Sequence, residues 1–92
     1  MKLTDLAIKA AKPRDKPFKL SDSHGLFLLV NPGGSKLWRW HYRFDRKEKL
    51  MALGEYPIVS LARARELHFA GRKMLDAGID PMAERKAKFE AK

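Results

Sequence analysis

The sequence predicts an α+β domain, a three-stranded antiparallel sheet packed on one long helix, with a short N-terminal helix and a charged C-terminal linker helix. Three observations carry this expectation. The run from Lys36 to Phe44 splits at the two-residue period of a strand, with Trp38, Trp40, Tyr42 and Phe44 on one side and Leu37, Arg39, His41 and Arg43 on the other. Turn signals bracket it, Asn31-Pro32-Gly33-Gly34-Ser35 before and Asp45-Arg46 after, which gives a meander of three consecutive strands. From Leu61 to Ala77 the apolar residues recur at helical spacing, between Ser60 as N-cap and Gly78 where a C-terminal glycine belongs.

Taken in order, Thr4 caps a short helix from Asp5 to about Ala11, with Leu3, Leu6, Ala7 and Ala10 as its apolar stripe and Asp5 at its positive end. Lys12-Pro13 ends that helix, and a charged connector runs to Pro17. The segment from Phe18 to Asp22 reads as a short edge strand. Ser23-His24-Gly25 then turns the chain into the apolar run from Leu26 to Asn31, a strand covered over much of its surface. The third strand of the meander, Lys47 to Leu53, is broken by Gly54-Glu55-Tyr56-Pro57. On the long helix Leu61, Ala64, Leu67, Gly71, Met74 and Leu75 share the face that must cover the sheet. Phe69 falls on the opposite, charged face, where packing against the following segment or contact with another subunit would account for it. Asp80-Pro81 starts a last charged helix, Met82 to Lys92, whose only large apolar side chains are Met82 and Phe89. Residues 1–79 therefore read as the domain and 80–92 as the start of a helical linker.

Composition limits what such a domain does. Ninety-two residues hold one small core. A hydrophobic share of 45% is too high for wholesale disorder. The longest apolar run, Leu26 to Val30, is too short to cross a bilayer, and the first twelve residues lack the features of a signal peptide. With no cysteine there is no disulfide framework, thiol nucleophile or thiolate zinc site, so an intracellular protein is expected. Charge is the lopsided quantity: net +9, with a pI near 10.1, the electrostatic footprint of a nucleic-acid binder.

Catalysis finds little support. His24, His41 and His68 lie in a turn, on a strand and on a helix, without ligand-like spacing, and a structural role suits each better than a metal. Ser21, Ser23, Ser35 and Ser60 fall at turns and caps, where local hydrogen bonding explains serine. Gly33-Gly34 lacks the Lys-Ser/Thr of a phosphate loop, and no carboxylates pair for acid–base work. The expectation is a non-enzymatic chain without cofactor or metal.

Binding to DNA is the better reading. The hairpin carries Lys36, Arg39, Arg43, Arg46, Lys47 and Lys49 against Asp45 and Glu48. A small sheet face fits the major groove, where one bidentate arginine–guanine contact supplies roughly 1–3 kcal/mol of discrimination. Arg39, His41 and Arg43 are the expected base readers, with Lys36, Arg46, Lys47 and Lys49 on phosphates. Leu50 and Ala52 either meet thymine methyls or lie under the linker. Arg63 and Arg65 oppose the dipole at the start of the long helix, at about 0.3–1 kcal/mol each, which a DNA phosphate beside Arg63 would reverse. A protein-interaction module is the competing reading, favoured by Phe69 and the Met82–Phe89 stripe.

Several stretches, met in order, carry a family resemblance. Leu3-Thr4-Asp5, Ile8-Lys9-Ala10-Ala11-Lys12-Pro13, Leu20-Ser21-Asp22 and Gly25-Leu26-Phe27-Leu28 come first. Gly34-Ser35-Lys36-Leu37-Trp38-Arg39, Leu53-Gly54-Glu55-Tyr56-Pro57, Ser60-Leu61-Ala62-Arg63-Ala64-Arg65 and Ala77-Gly78-Ile79-Asp80-Pro81 follow. The set resembles the N-terminal, arm-binding domain of phage and genomic-island integrases of the tyrosine recombinase family. The resemblance implies a three-stranded sheet backed by a helix, which binds accessory double-stranded DNA sites during integration and excision of a mobile element. It implies a bacterial cytoplasmic, nucleoid-associated setting, with integrase protomers or an accessory DNA-bending factor as further partners and no membrane. It also implies that the catalytic tyrosine lies outside this chain, leaving Tyr42 and Tyr56 structural work. His41 stands where related sequences often carry another basic or aromatic residue, and Arg63 where they often carry an acid. Leu50 and Ala52 replace small hydroxyl residues, so sequence preference is expected to differ at these positions.

Overall fold

A computed structural model describes the backbone of residues 3–90 and the side chains of residues 3–85. The chain runs α1 (Asp5–Ala10), β1 (Phe18–Ser21), β2 (Leu26–Val30), β3 (Lys36–Phe44), β4 (Lys47–Tyr56), α2 (Leu61–Asp76) and α3 (Pro81–Glu90). The sheet has four antiparallel strands in the order β1-β2-β3-β4, one more than the meander expected. The added strand is the edge segment at Phe18, which pairs Phe18 with Val30 and Leu20 with Leu28 and so extends the apolar face by one strand.

That face is the core. Leu26 stands opposite Trp40 and Leu28 opposite Trp38, and Trp38, Trp40, Leu26, Leu28 and Val30 are fully buried. Burying each indole removes roughly 150–250 Å² from water, on the order of 5 kcal/mol at 25 cal/mol per Å². Both indole N–H groups are satisfied: Trp38 Nε1 donates to the Val59 carbonyl at 2.7 Å and Trp40 Nε1 to the His24 carbonyl at 3.1 Å. A buried donor left without such a partner would cost about 1–3 kcal/mol.

Strand β4 runs to Tyr56, beyond the break expected at Gly54. The register slips between Trp38 and Arg39, which stand opposite Gly54 and Ala52 and leave Leu53 as the extra residue of a bulge. The bulge resets the alternation, so Met51, Leu53 and Tyr56 all serve the core face. Gly54, at φ +129°, is where the bend occurs, and a Cβ there would collide with Val59.

Helix α2 lies over the indoles. Ser60 caps it as expected, its hydroxyl accepting from the Arg63 N–H at 3.1 Å, and Gly78 at φ +81° turns the chain out of it. Its inner face is Leu61, Ala64, His68 and Gly71, with Leu67 and Leu75 partly buried; His68 was not among the apolar positions that mark the face. The α1 stripe also differs from expectation. Leu6 is 79% exposed, whereas Ile8 is fully buried and is flanked by Leu3 and Ala11 against the core. Thr4 caps α1 as expected, accepting from the Ala7 N–H.

Helix α3 begins one residue before the expected start and is docked at its first turn. Pro81 is buried, Met82 packs on the core, and Arg85 Nη1 donates to the Ala52 carbonyl of β4 at 2.8 Å. Phe89, expected to share a stripe with Met82, lies outside the described side chains, as the last two residues of the expected helix lie outside the described backbone. All three helices sit on one face, leaving the other face of the sheet without a helix among the described residues.

Candidate nucleic-acid interface

Because strand side chains alternate, everything opposite the indoles points to the helix-free face. Register sets the rows: Ser21, Phe27, Arg39 and Ala52 lie side by side, Lys19, Leu29, Leu37 and Glu55 flank them, and His41 pairs with Leu50 and Arg43 with Glu48. Arg39, His41 and Arg43 are thus brought into one file along β3. Two of them share an acid: His41 Nε2 and Arg43 Nη2 each lie 3.8 Å from a Glu48 carboxylate oxygen. Exposed pairs at that distance contribute about 0–1 kcal/mol, so they orient the file without locking it. Arg39 is half-buried and donates from Nη1 to the Trp38 carbonyl at 3.2 Å.

The remaining expected contacts divide. Arg46 is in the two-residue hairpin turn, with Asp45 at φ 51° and Arg46 at φ 65°, and Lys47 follows it, exposed. Arg46 extends the file at the tip of the hairpin, whereas Lys47 pairs with Phe44 and so falls on the helix-bearing face. Lys36 and Lys49 stand on the helix-bearing face. Lys36 Nζ donates to the Ile8 carbonyl at 2.8 Å, closing the end of α1, and Lys49 Nζ lies 2.8 Å from Asp80 Oδ2. Parity puts both there, since Lys36 and Trp38 share one face and Lys49 pairs with Tyr42. Arg63 is exposed and meets Glu66 Oε2 at 3.1 Å. Leu50 is 52% exposed, so among the described residues the linker does not cover it.

Sequence reasoning missed what the first two strands add. Phe27 points to the helix-free face yet is only 7% exposed, with Lys19 Nζ 4.7 Å above its ring. The signal was present: Phe18-Lys19-Leu20-Ser21 alternates, and placing it in the sheet sends Lys19 and Ser21 to the side of Arg39.

Two buried acid clusters hold the scaffold behind this face. Asp22 accepts from the Leu3 N–H at 2.8 Å and from Arg65 Nε and Nη2 at 3.1 and 2.9 Å, and Arg65 also donates to the Leu3 carbonyl. Burial alone pushes the Asp22 carboxyl up, but the Arg65 hydrogen bonds, the Leu3 N–H and the Arg65 charge outweigh it and hold it below its ordinary value. Asp80 behaves alike: burial raises it, and the donors Lys49, Tyr42 and the Met82 N–H bring it down. His68, buried under α2, meets the His24 carbonyl at 3.1 Å through Nε2, and since a carbonyl only accepts, Nε2 carries the proton. Burial pushes its pKa down, and the His24 hydrogen bond opposes that in part. Among the described residues no group of His, Asp or Glu is arranged to hold a metal ion, and no helix is long and apolar enough to cross a membrane.

Residues 3–88 match the model of the arm DNA-binding domain. The chain is 44% identical over 85 residues to the integrase of Shigella phage Sf6, which covers 92% of this chain and 22% of that protein. It is 48% identical over 84 residues to prophage integrase IntZ of Escherichia coli (strain K12), covering 89% of the chain and 21% of the relative. Against prophage integrase IntA of the same strain the identity is 42% over 86 residues, 91% of the chain and 21% of the relative. The chain thus spans about a fifth of the length of these curated relatives. The match over nearly all of its residues places this chain in the arm DNA-binding domain family.

Proposed function

We propose that this chain binds double-stranded DNA at accessory arm-type sites, as the N-terminal domain of a site-specific integrase that inserts and excises a mobile element. The observation that carries the reading is the file Arg39–His41–Arg43, standing on the helix-free face of the sheet and continued by Arg46 at the hairpin tip, beside which the exposed Lys47 stands on the opposite face. A sheet face presents such a file to the major groove, with the arginines donating to guanine O6 and N7 and the tip cations meeting phosphates. Leu50 and Ala52 lie beside the file where thymine methyls would be met. The partners of Lys36 and Lys49 on the helix-bearing face take them out of the proposed contact set, and Arg63 remains a secondary phosphate contact. The parent protein is read as a tyrosine recombinase whose chemistry resides in other domains, reached through the linker that begins at Asp80 with its docked first turn. It acts in the bacterial cytoplasm on nucleoid DNA.

Fluorescence anisotropy tests this with a duplex enriched from a randomised pool and its scrambled counterpart, across a salt series. Each phosphate contacted adds about −0.9 to the slope of log K against log salt. The expected result is a salt-dependent affinity, a preference for the enriched duplex, and loss of both in Arg39→Ala/Arg43→Ala. Retained preference in that double variant overturns the groove reading.

One observation favours a second reading, a protein contact with integrase protomers or an accessory factor. Phe69 is 60% exposed on the outer face of α2, with Lys73 Nζ over its ring at 5.5 Å, so among the described residues the following segment does not cover it. Under that reading Phe69→Ala abolishes self-association, measured by analytical ultracentrifugation, and leaves DNA affinity intact.

A further inference from the structure

We infer that the turn between β1 and β2 carries a notch that seats one DNA backbone phosphate beside the groove. The inference rests on the reading of the helix-free face as the DNA face. The notch is lined by Lys19, Ser21, Ser23, His24, Phe27 and His41. Asp22 also borders it, but its carboxylate is turned to α2, where Arg65 and the Leu3 N–H occupy it.

Three features make this a phosphate site rather than an ordinary charged edge. Lys19 is held by an aromatic ring, 4.7 Å from the Phe27 centroid, and has no ion pair among the described residues, so its full charge is available to a ligand. Two hydroxyls and two imidazoles line the same recess, and hydroxyl and imidazole N–H groups donate to phosphate oxygens. Position decides between base and backbone. Strand β1 lies two strand spacings from β3, about 10 Å, whereas the major groove is about 12 Å wide. With the Arg39–His41–Arg43 file at mid-groove, Lys19 and Ser21 stand past the rim, where the phosphates are. His41 borders both the file and the notch and marks where base readout gives way to backbone anchoring.

The test compares the wild-type chain with Lys19→Ala and Lys73→Ala by anisotropy on the enriched and scrambled duplexes across a salt series. Lys73 lies on the outer face of α2, so its loss removes equal charge away from the notch. Lys19→Ala is expected to reduce the salt slope by about 0.9, one phosphate, and to weaken both duplexes by the same factor. Lys73→Ala is expected to leave the slope unchanged. An unchanged slope in Lys19→Ala overturns the notch, as does an equal slope change in Lys73→Ala, which would make the effect general charge. A loss of preference in Lys19→Ala also overturns it, by making Lys19 a base reader. If the wild-type chain shows no salt-dependent binding, the DNA reading itself falls and the notch with it. Lys19 is exposed, so the variant keeps the fold; circular dichroism and the melting transition check this.

Discussion

The Tyr42 hydroxyl donates to Asp80 Oδ1 at 2.5 Å, tying β3 to the residue that caps the last helix. The other Asp80 oxygen takes Lys49 at 2.8 Å, so one carboxylate joins β3, β4 and α3. Hydrogen bonds to a charged group are worth about 1.5–3 kcal/mol. Tyr42→Phe keeps the ring and is expected to lose that much in urea denaturation. A loss under about 0.5 kcal/mol, within the range of a neutral surface change, would mean that the bond contributes little.

The same contact sets an alkaline limit. Burial, and then the hydrogen bond to Asp80, push the Tyr42 hydroxyl up to about 12 from an ordinary 10.0. A group whose pKa is raised on folding stabilises fully below its unfolded value and loses that contribution as pH climbs through the folded one. Stability is therefore expected to decline between about pH 10 and 12, and Tyr42→Phe to flatten that decline. An identical decline in the variant would assign it to other groups.

On the acid side the signs reverse. The folded pKa of His68 is depressed by burial, with Arg72 and His24 adding to the effect and Asp22 opposing it. The unfolded chain then binds the proton more readily, and stability falls as pH drops through the ordinary histidine value of 6.5. Asp22 and Asp80 are also depressed, so their contribution is present above an ordinary 3.8 and is lost below it. Melting curves across pH are expected to show two separate declines, and His68→Gln to remove the upper one. A single decline confined to the carboxylate range would refute the role given to His68.

Much of this was legible in the sequence because local rules and packing agree there. Strand β3 has the bounds its alternation sets, Lys36–Phe44, and the caps Thr4 and Ser60 work as their residue types require. The failures have physical causes. A glycine inside a strand reads as an end, but Gly54 adjoins the bulge at Leu53, and bulges are set by the partner strand. Helix stripes were assigned by hydrophobicity, which passes over His68 although a buried carbonyl, that of His24, satisfies it. Lys36 and Lys49 were counted as cations by composition, yet alternation alone puts them on the side of Trp38 and Tyr42. Lys19 was overlooked because a four-residue edge strand carries a weak signal until its partner is known.

Gly71 lets α2 pack directly against the Trp40 indole. A Cβ at this position would stand 2.5 Å from Trp40 Cζ3 and 3.1 Å from Cη2, and Trp40 is held by its own hydrogen bond and by packing on Tyr42 and His68. The indole has no room to retreat. Gly71→Ala gains helix propensity of up to about 1 kcal/mol, but overpacking of this kind costs about 1–3 kcal/mol. The net expectation is a lower melting temperature, read by circular dichroism. A rise in stability would show that α2 slides away freely.

Function and stability are expected to part at the hairpin tip. Asp45 and Arg46 both adopt positive φ, a conformation that costs a residue with a side chain roughly 1–2 kcal/mol and that glycine enters freely. Glycine gives back part of this through the larger entropy of the unfolded chain, about 0.5–1 kcal/mol. Arg46→Gly is therefore expected to stabilise the domain by roughly 0.5–1 kcal/mol, the difference of those two terms. It also removes a proposed phosphate contact, so the same variant should bind DNA more weakly, with a salt slope smaller by about 0.9. Chemical denaturation and anisotropy on one protein preparation separate the two effects. Stabilisation without any change in slope would confine Arg46 to the turn; a weaker slope together with lower stability would mean that the arginine side chain itself supports the hairpin.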